Sequence, residues 1–467
     1  MPQWKPDPTF YPSPRMAADA PPETIAYVAM LAPGNGRPDA MGVVDVDPTS
    51  ESFGSLIHAT DMPSAGDELH HFGWNACSSC LSPYASHPHA ERRYLIVPGI
   101  HSSRISILDT KPDPRAPKLV KVIDAETIAK KTGYSAPHTT HCGPDGIYVN
   151  ALGAPDGSGP GGVFVLDHET LDVVGPWEKD RGPQYLAYDF FWHLGQDTMI
   201  TSEWGTPEMV TKGLNPELLL SGQYGHQLHV WDLRRRTHKQ TLDLGADQQM
   251  VLELRPAHDP RRAWGFAGVV ISLTDLSANV FLWYLDERSN EWKTQKVITI
   301  PAEPADPDLL PPALKPFKAV PPLVTDLNLS VDDRFLYVSC WGTGEMIQYD
   351  VSNPFQPVKT GSVRIGGIVG RTAHPSRPEQ PLNGGPQMVE VSRDGKRVYF
   401  TNSLYSPWDE QFYPDGIRSW MVKLDVSPDG GVAFDEEFFV EFEEGLRAHQ
   451  VRLQGGDASS DSYCYSS

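Results

Sequence analysis

The chain has 467 residues, and 39 Lys plus Arg against 60 Asp plus Glu give it a formal net charge of −21 at pH 7. Nucleic acid is not expected as a partner, because the phosphate backbone repels a chain this acidic. No apolar stretch approaches the roughly 20 residues that a membrane-spanning helix needs, so no membrane span is expected either.

The first part of the chain, residues 1–24, is predicted to be an N-terminal extension that precedes the first repeat. Its opening residues, from Met1 to Pro6, lack the apolar region of a signal peptide. We therefore expect a cytoplasmic location, or a periplasmic one if a leader precedes this numbering.

From residue 25 onwards, a short run of β-forming residues that ends on an aspartate recurs seven times, as in Met41-Gly42-Val43-Val44-Asp45. The closing aspartates are Asp45, Asp109, Asp167, Asp232, Asp286, Asp350 and Asp425. Their spacings of 64, 58, 65, 54, 64 and 75 residues each accommodate one four-stranded sheet with its loops. The sequence therefore predicts an all-β fold, a seven-bladed β-propeller with loop insertions, which residues 25–467 form as a single domain.

Tight polar turns precede most of these runs and support the same architecture. Examples are Asp145-Gly146, Asp332-Asp333 and Asp394-Gly395, each followed by a strand-like run. An Asp-Gly pair supplies the positive φ angles that a hairpin turn needs. Two β-sandwiches that share this turn chemistry are the alternative. Residues 301–322 and 368–385 are predicted to be long insertions between strands.

In a propeller, the innermost strand of each blade lines the central channel, so polar residues on these strands converge from distant parts of the sequence. Four polar residues lie six to eight positions before a turn aspartate in four different repeats: His138, Asp326, Gln387 and His449. His70 and His71 take this place in the first blade, and His141 shares a strand with His138.

A set of imidazoles around one small cavity indicates a metal site. Neutral imidazole binds copper, zinc, nickel or iron, and several nitrogens in a square arrangement with an oxygen favour Cu(II). The candidate metal ligands are His70, His71, His138, His141 and His449. Calcium is a further candidate, which prefers oxygen ligands. The residues that offer such oxygens are Asp189, Glu203 and Asp326.

Other histidines lie outside this register and are predicted to be structural or exposed. They include His87, His89, His101, His168, His226, His229, His238 and His258. The first two belong to a loop that is expected to be solvated. His226 and His229 flank a strand without a matching partner.

The five cysteines, an odd number in a long chain, do not predict a disulfide framework. Cys142 and Cys340 lie in strand-like runs and are predicted to be small core residues, while Cys464 belongs to a polar tail. Cys77 and Cys80 have a two-residue spacing that suits a redox pair, a soft-metal site or a reactive thiolate. The sequence has no second pair of this kind to complete a zinc site.

The segment Asp67–Cys80 resembles the signature of the selenium-binding protein family, whose members include methanethiol oxidases. Further matches to the family follow in order along the chain: Ser102–Ile105, Pro114–Leu119, His138–Cys142, Gly384–Met388, Ser403–Asp409 and Gln411–Asp415. The resemblance covers about residues 25 to 461, which is nearly the whole chain.

This resemblance implies an oxidase that converts methanethiol, O2 and water to formaldehyde, hydrogen sulfide and hydrogen peroxide. It implies copper as the cofactor, with calcium alongside it in bacterial members, and it associates selenium binding with the position of Cys77. Removing a proton from the methyl carbon needs a base, for which Asp326 and Glu203 are candidates. Cys77 is the third candidate catalytic residue. The tryptophans expected to wall off a small apolar pocket, or else to pack in the core, are Trp74, Trp204 and Trp341.

Three other functions remain open from the sequence. The first is a selenium or soft-metal binding or transport protein that acts through Cys77 without turnover. The second is a scaffold of the WD-repeat type, although only Trp231-Asp232 matches that repeat. The third is a calcium-dependent lactonase, which the histidine-rich channel does not favour.

Overall fold

The computed structural model describes residues 5–34 and 36–466. Within these residues, seven four-stranded antiparallel sheets follow one another along the chain, and a two-stranded ribbon lies between the fifth and the sixth. The predicted seven-bladed all-β propeller is therefore confirmed. Met1 to Trp4, on which part of the predicted extension and location rests, lie outside the described residues. The division of the chain into an extension and one domain stays a prediction.

The strands are numbered in chain order. Blades 1 to 3 contain β1 (Ile25–Leu31), β2 (Pro38–Asp45), β3 (Leu56–Ala65); β4 (Gly73–Trp74), β5 (Tyr94–Pro98), β6 (Ile105–Asp109), β7 (Lys118–Ile123); and β8 (Ser135–Cys142), β9 (Ile147–Gly153), β10 (Gly162–Leu166), β11 (Val173–Pro176). Blades 4 and 5 contain β12 (Phe190–His193), β13 (Thr198–Thr201), β14 (Gln227–Asp232), β15 (Thr237–Asp243); and β16 (Gln248–Pro256), β17 (Trp264–Ser272), β18 (Ala278–Asp286), β19 (Glu291–Ile300). The ribbon, blades 6 and 7 and the last strand are β20 (Glu303–Pro304), β21 (Ala319–Val320); β22 (Val324–Leu329), β23 (Phe335–Cys340), β24 (Glu345–Asp350), β25 (Val358–Arg364); β26 (Val389–Val391), β27 (Arg397–Thr401), β28 (Trp420–Val426), β29 (Val432–Glu441); and β30 (Arg447–Leu453).

Blade 1 takes its innermost strand from the other end of the chain. β30 pairs antiparallel with β1, so that Tyr27 lies opposite Arg452 and Val28 lies opposite Val451. The ring is thereby closed by hydrogen bonds between the two ends of the chain, and the inner edge of β1 is covered. His449 reaches the channel on this closing strand.

The recurring aspartates end the third strand of each blade through a local hydrogen bond. In six of the seven described blades, the aspartate carboxylate accepts a hydrogen bond of 2.9 to 3.1 Å from the backbone amide two residues later. Aspartate side chains favour turns because they can make this bond to their own backbone. The repeat is thus a turn signal, which explains why it marks the strand ends.

The innermost strands carry β-bulges where they enter the channel. The register against the second strand shifts at residues 137–140 in blade 3, 251–254 in blade 5 and 324–326 in blade 6. Directly before these shifts, Ala136, Met250 and Leu323 have φ angles of 51°, 65° and 52°. A bulge re-aims the side chains around it, which is a common device beside functional sites. The titratable residues inside the three shifts are His138, Glu253 and Asp326.

The apolar faces of neighbouring blades pack against each other and form the core. One cluster joins Phe266 and Leu282 of blade 5 to Leu327 and Val338 of blade 6, and all four side chains are fully buried. Each such burial stabilises the fold by about 1.5–3 kcal/mol. The core therefore lies between the blades, and the channel is left to polar side chains.

Insertions between strands cover one end of the channel, called the capped end below. The helices are α1 (Pro14–Ala18), α2 (Ala125–Thr132), α3 (Pro207–Val210), α4 (Pro216–Leu220) and α5 (Ser406–Phe412), and 3₁₀ turns lie at Ser78–Leu81, Leu194–Gln196, Pro307–Leu309 and Lys315–Phe317. α3, α4, α5 and the insertion at 301–322 share one apolar cluster, which includes Trp204, Leu314 and Trp408. Within residues 5–34 and 36–466, no helix is both long and apolar enough to cross a bilayer.

Candidate metal centre

Four histidine side chains from three blades meet at the capped end of the channel. His70 and His71 precede β4, His138 lies in β8 and His449 lies in β30. The ring of His70 lies 4.0 Å from that of His449 and 4.5 Å from that of His138, centroid to centroid. All four are at most 1% exposed. Burial lowers the pKa of each of them, so the rings are neutral, which is the form that binds metal ions.

Each of these rings has one buried nitrogen that meets no hydrogen-bond partner among the described residues. The atoms are Nδ1 of His70 and Nε2 of His71, His138 and His449. An unsatisfied buried nitrogen costs about 1–3 kcal/mol, and a bound metal ion would remove that cost. Ligand atoms of His70, His71 and His138 lie within 4.8 Å of one another. This buried cluster, called the channel cluster below, can therefore hold a metal ion.

Hydrogen bonds to the opposite ring nitrogens hold two of these side chains in place. Nδ1 of His449 lies 2.8 Å from the backbone oxygen of Ser403. A carbonyl oxygen only accepts, so Nδ1 carries the proton and Nε2 is left with its lone pair. Nδ1 of His138 lies 2.8 Å from the hydroxyl oxygen of Thr139. Such partners orient the ligands of known metal sites.

The structure does not bring His141 to the channel cluster. His141 follows His138 by three residues on β8, which corresponds to about 10 Å along a strand. Its Nε2 lies 3.8 Å from Oδ1 of Asp189, and its ring packs 4.6 Å from that of Phe191. Burial lowers the pKa of His141 as well, but its neighbours belong to a deeper layer of the channel.

Glu253 supplies a carboxylate beside the imidazoles that sequence reasoning missed. Its Oε1 lies 3.5 Å from Nδ1 of His71 and accepts a 3.1 Å hydrogen bond from the hydroxyl of Tyr188. The Tyr188 ring in turn lies 4.1 Å from that of His138. Glu253 is six residues before Asp259, just as Asp326 is six before Asp332. The same count would have found it, but in this turn Pro260 follows Asp259 in place of the Gly or Asp that marks the turns of blades 3, 6 and 7.

A layer of charged side chains lies next to Glu253 and contains Asp326. Arg255 is 3.2 Å from Glu253, 3.3 Å from Asp326 and 3.6 Å from Asp189. The second oxygen of Asp326 accepts a 2.7 Å hydrogen bond from the amide of Val389. Burial raises the pKa of Asp326 well above its ordinary value. The candidate calcium ligands Asp189 and Asp326 thus face a guanidinium group, which supplies the positive charge that a cation would.

Glu203, the other candidate base, has both carboxylate oxygens engaged elsewhere. Oε1 accepts from Nε2 of His229 at 3.0 Å, and Oε2 accepts from the amides of His226 and Gln227. His229, which was predicted to be structural or exposed, is fully buried against Glu203 and is therefore structural. Glu203 holds the start of β14 against the segment that follows β13, and these contacts give it a structural role.

Cys77 forms a disulfide with Cys142, with a Cα–Cα distance of 6.0 Å. The prediction that Cys142 is only a small core residue is therefore wrong, and the redox pair that was one of the alternatives for Cys77 and Cys80 is not formed in this structure. β4 and β8 are neighbouring innermost strands, and their pairing in space brings these distant sulfurs together. Within the described residues Cys80 is a free, buried thiol, and so is Cys340, which packs in the core as predicted. Cys142 ends β8 about 13 Å beyond His138, so Cys77 lies away from the channel cluster.

A narrow apolar pocket opens onto His70. Its walls include Tyr188, Trp204, Leu252 and Tyr405. A second apolar pocket lies next to it. The residues that line both pockets are Met250, Leu323 and Trp408. Of the three tryptophans proposed from sequence, Trp204 lines the pocket, whereas Trp74 and Trp341 pack in apolar clusters.

Comparison with known proteins agrees with the resemblance found in the sequence. The family model of the 56 kDa selenium-binding protein (SBP56) matches residues 4–464. Selenium-binding protein 2 of Mus musculus is 41% identical over 476 residues, and the methanethiol oxidase of Rattus norvegicus is 40% identical over 476 residues; each alignment covers 97% of both chains. The X-ray structure of a hypothetical selenium-binding protein from Sulfolobus tokodaii is 56% identical, with a TM-score of 0.95 over 98% of this chain and 100% of that one. This chain therefore belongs to the selenium-binding protein family.

Proposed function

We propose that this protein is a copper-dependent methanethiol oxidase, which converts methanethiol, O2 and water to formaldehyde, hydrogen sulfide and hydrogen peroxide. Relatives that carry the name methanethiol oxidase are 38% to 40% identical over 97% of this chain. The observation that carries the proposal is the channel cluster, four buried neutral imidazoles whose unpartnered nitrogens lie beside an apolar pocket.

Nδ1 of His70 and Nε2 of His71, His138 and His449 would hold the copper ion. A bound copper ion would supply affinity for soft sulfur together with redox exchange with O2. The orientations of the His449 and His138 rings are set in advance by Ser403 and Thr139. These rings therefore need little rearrangement to bind a metal, which favours tight binding.

The pocket beside His70 suits a small uncharged thiol. Its lining is mainly aromatic and aliphatic, with Trp204, Leu252 and Tyr405 among the walls. The hydroxyl of Tyr405 is already hydrogen-bonded to His101, so it offers little to a polar substrate. A charged thiol such as cysteine would lose its hydration here without compensation. Methanethiol carries only a methyl group and the sulfhydryl, so it avoids that cost.

Glu253, rather than Glu203, is the proton acceptor that the geometry supports. Its Oε1 accepts from Tyr188, whose ring lines the pocket, and it lies 3.5 Å from His71. A proton that leaves the substrate can therefore reach this carboxylate through the Tyr188 hydroxyl. Asp326 is further from the pocket than Glu253, because Arg255 lies between the two carboxylates.

The test measures methanethiol consumption, sulfide and peroxide in one sample of copper-loaded protein, beside a chelator-treated control. His138→Ala should lose copper and turnover together. His141→Ala is the matched control on the same strand and should retain its copper. Retained copper and normal turnover in His138→Ala would contradict a copper site at the channel cluster. Inactivity of protein shown to contain copper would contradict the oxidase function.

Selenium or soft-metal binding through Cys77 without turnover is the competing function. It is favoured by the name of the mouse relative, selenium-binding protein 2. In this structure the sulfur of Cys77 is engaged with Cys142, so such binding would require prior reduction. Under the oxidase proposal Cys77→Ser keeps its copper. Loss of copper from Cys77→Ser would indicate that the Cys77 sulfur binds the metal, and it would favour the binding function.

A further inference from the structure

A second group of histidines lies outside the channel, in two connections of neighbouring blades. The connection from β4 to β5 carries His87 and His89, and the turn from β10 to β11 carries His168 and Glu169. Strands of a blade alternate in direction, so first-to-second and third-to-fourth connections lie on the same face of the ring. This face also carries the Cys77–Cys142 disulfide, and it is opposite to the capped end.

Three of these side chains place possible ligand atoms close together. Nε2 of His89 lies 2.9 Å from Oε1 of Glu169, and Nδ1 of His87 lies 3.8 Å from the same oxygen. Ligand atoms of the three residues all lie within 4.8 Å of one another. Two imidazoles and a carboxylate from different blades thus converge on one point at the rim.

His168 gives an independent reason to expect a ligand at this point. It is only 4% exposed, and its ring lies 4.8 Å from that of His87 in an edge-to-face arrangement. In the described part of the chain, neither of its ring nitrogens has a hydrogen-bond partner, and the buried Nδ1 of His87 has none either. Leaving such buried groups unsatisfied is unfavourable.

We propose that His87, His89, His168 and Glu169 form a second metal site, which binds a divalent transition ion of the zinc class. Imidazole nitrogens with one carboxylate oxygen make a set that zinc accepts in tetrahedral geometry, whereas calcium and magnesium require mainly oxygen. This rim site does not depend on the proposed oxidase activity.

Backbone hydrogen bonds fix the part of the rim site that belongs to blade 3. The carboxylate of Asp167 accepts hydrogen bonds from the amides of Glu169 and Thr170, at 2.9 and 2.8 Å, so the blade 3 turn is already fixed. The blade 2 connection is held near it by the amide of Ser86, which donates to the oxygen of Pro144 at 3.2 Å. A bound ion would tie this long connection to blade 3 and stabilise the folded state by mass action.

The test is equilibrium dialysis of the full-length, chelator-treated protein against Zn²⁺, with the zinc per chain measured by mass spectrometry of the metal. The channel cluster can also take zinc, so the comparison is made in a His70→Ala/His138→Ala background. That background should bind one zinc per chain. Adding His89→Ala or Glu169→Gln should weaken this binding by more than about tenfold, the loss that even outer-shell changes cause.

Both of these rim side chains are more than half exposed, at 52% and 62%, so their replacement should leave the fold intact. His226→Ala, which changes a part-exposed histidine near Asp243 on another blade, is the matched control and should leave zinc binding unchanged. Zinc should raise the melting temperature of the background protein but not that of the rim variants. The proposal is overturned if the background binds no zinc, or if the rim variants bind zinc as tightly as the background does.

Discussion

At the scale of single residues, the channel separates two kinds of side chain into two layers: neutral imidazoles with free lone pairs, and charged groups. The imidazoles at the capped end are neutral, and the carboxylates beneath them are shared with Arg255. Glu253 joins the two layers, since its Oε1 meets His71 and Tyr188 while its Oε2 meets Arg255. A change at this residue should therefore affect the chemistry more than the metal binding.

Glu253→Gln should keep its copper and lose most of its turnover. The amide can still accept the hydrogen bond from Tyr188, but it is a far weaker proton acceptor than the carboxylate. Removing a general base typically lowers the rate by about 10²–10⁴-fold. The measurement is kcat for methanethiol together with copper per chain, with Asp326→Asn as the comparison. Turnover in Glu253→Gln within about twofold of the unchanged protein would remove Glu253 from the mechanism.

His258 predicts a dependence of stability on pH. Its Nδ1 lies 3.0 Å from a carboxylate oxygen of Asp333, and its Nε2 lies 2.6 Å from the backbone oxygen of Ala458. Both partners are acceptors, so the ring must carry both protons. Burial is the largest single effect and opposes this charge, but the hydrogen bond to Asp333, the negative charge of Asp333 and the hydrogen bond to Ala458 together outweigh it and raise the pKa of His258 above its ordinary value.

A pKa that is raised in the folded state stabilises the protein fully below the ordinary histidine value of about 6.5, and that stability is lost as pH rises through the folded pKa. His258→Gln should therefore lower the free energy of unfolding most at pH 6, and the difference from the unchanged protein should shrink at higher pH. Urea unfolding of both proteins from pH 6 to pH 9 checks this. A difference that stays constant across the range would contradict the charged form.

At the scale of elements, the seven aspartates predicted the ends of the third strands because each signal is local. In six of the seven, the side chain and the amide that it binds are two residues apart. The Cys77–Cys142 disulfide could not be predicted in this way, because it depends on β4 and β8 lying side by side. The bulges of the innermost strands were equally hidden, since Ala136, Met250 and Leu323 have no sequence signature of positive φ.

The bulges also explain why the number of residues between a polar channel residue and the following turn aspartate varies by about one from blade to blade. An extra residue in a bulge shifts the count from the turn without moving the side chain away from the channel. Position counting therefore placed His138 and Asp326 on innermost strands, as the structure does. It could not tell that His141 belongs to another layer, because that depends on distance along the strand.

Three consecutive residues of β16 face three different surroundings. A substitution in the substrate pocket can therefore be compared with one on the same strand outside it. Leu252 lines the pocket, Glu253 faces the channel cluster and Leu254 packs in the core between blades. Leu252→Ala should enlarge the pocket and raise the ratio of kcat/KM for propanethiol over methanethiol by about tenfold or more, since each accommodated methylene contributes about 1–3 kcal/mol.

Leu254→Ala is the matched control for this change, because a buried leucine truncated anywhere costs about 2–5 kcal/mol of stability. It should lower the melting temperature without altering the preference between the two thiols. Copper content should be the same in both variants. An unchanged preference in Leu252→Ala would show that the pocket beside His70 does not receive the substrate.

At the scale of the whole molecule, the two ends of the chain complete both the ring and the channel cluster. β30 closes blade 1 and carries His449, while the segment after it folds across the uncapped face. There Asp461 makes a two-pronged ion pair with Arg92 at 2.7 and 2.8 Å and also accepts a hydrogen bond from the hydroxyl of Ser78. The overall ring could be predicted from the repeat, but this closure could not, because it joins residues at opposite ends of the sequence.

Asp461→Asn should be strongly destabilising, because it leaves the guanidinium of Arg92 buried without its counter-charge. The two side chains are only 1% and 2% exposed, and breaking such a buried pair costs about 3–5 kcal/mol. The exposed pair of Lys121 and Asp172 is the matched control, since Asp172→Asn should cost at most about 1 kcal/mol. Urea unfolding of the two variants gives the comparison. Equal losses in the free energy of unfolding would mean that the C-terminal segment stabilises the closed ring no more than a surface ion pair does. A large loss in Asp461→Asn alone would show that this segment stabilises the blade that carries His70 and His71.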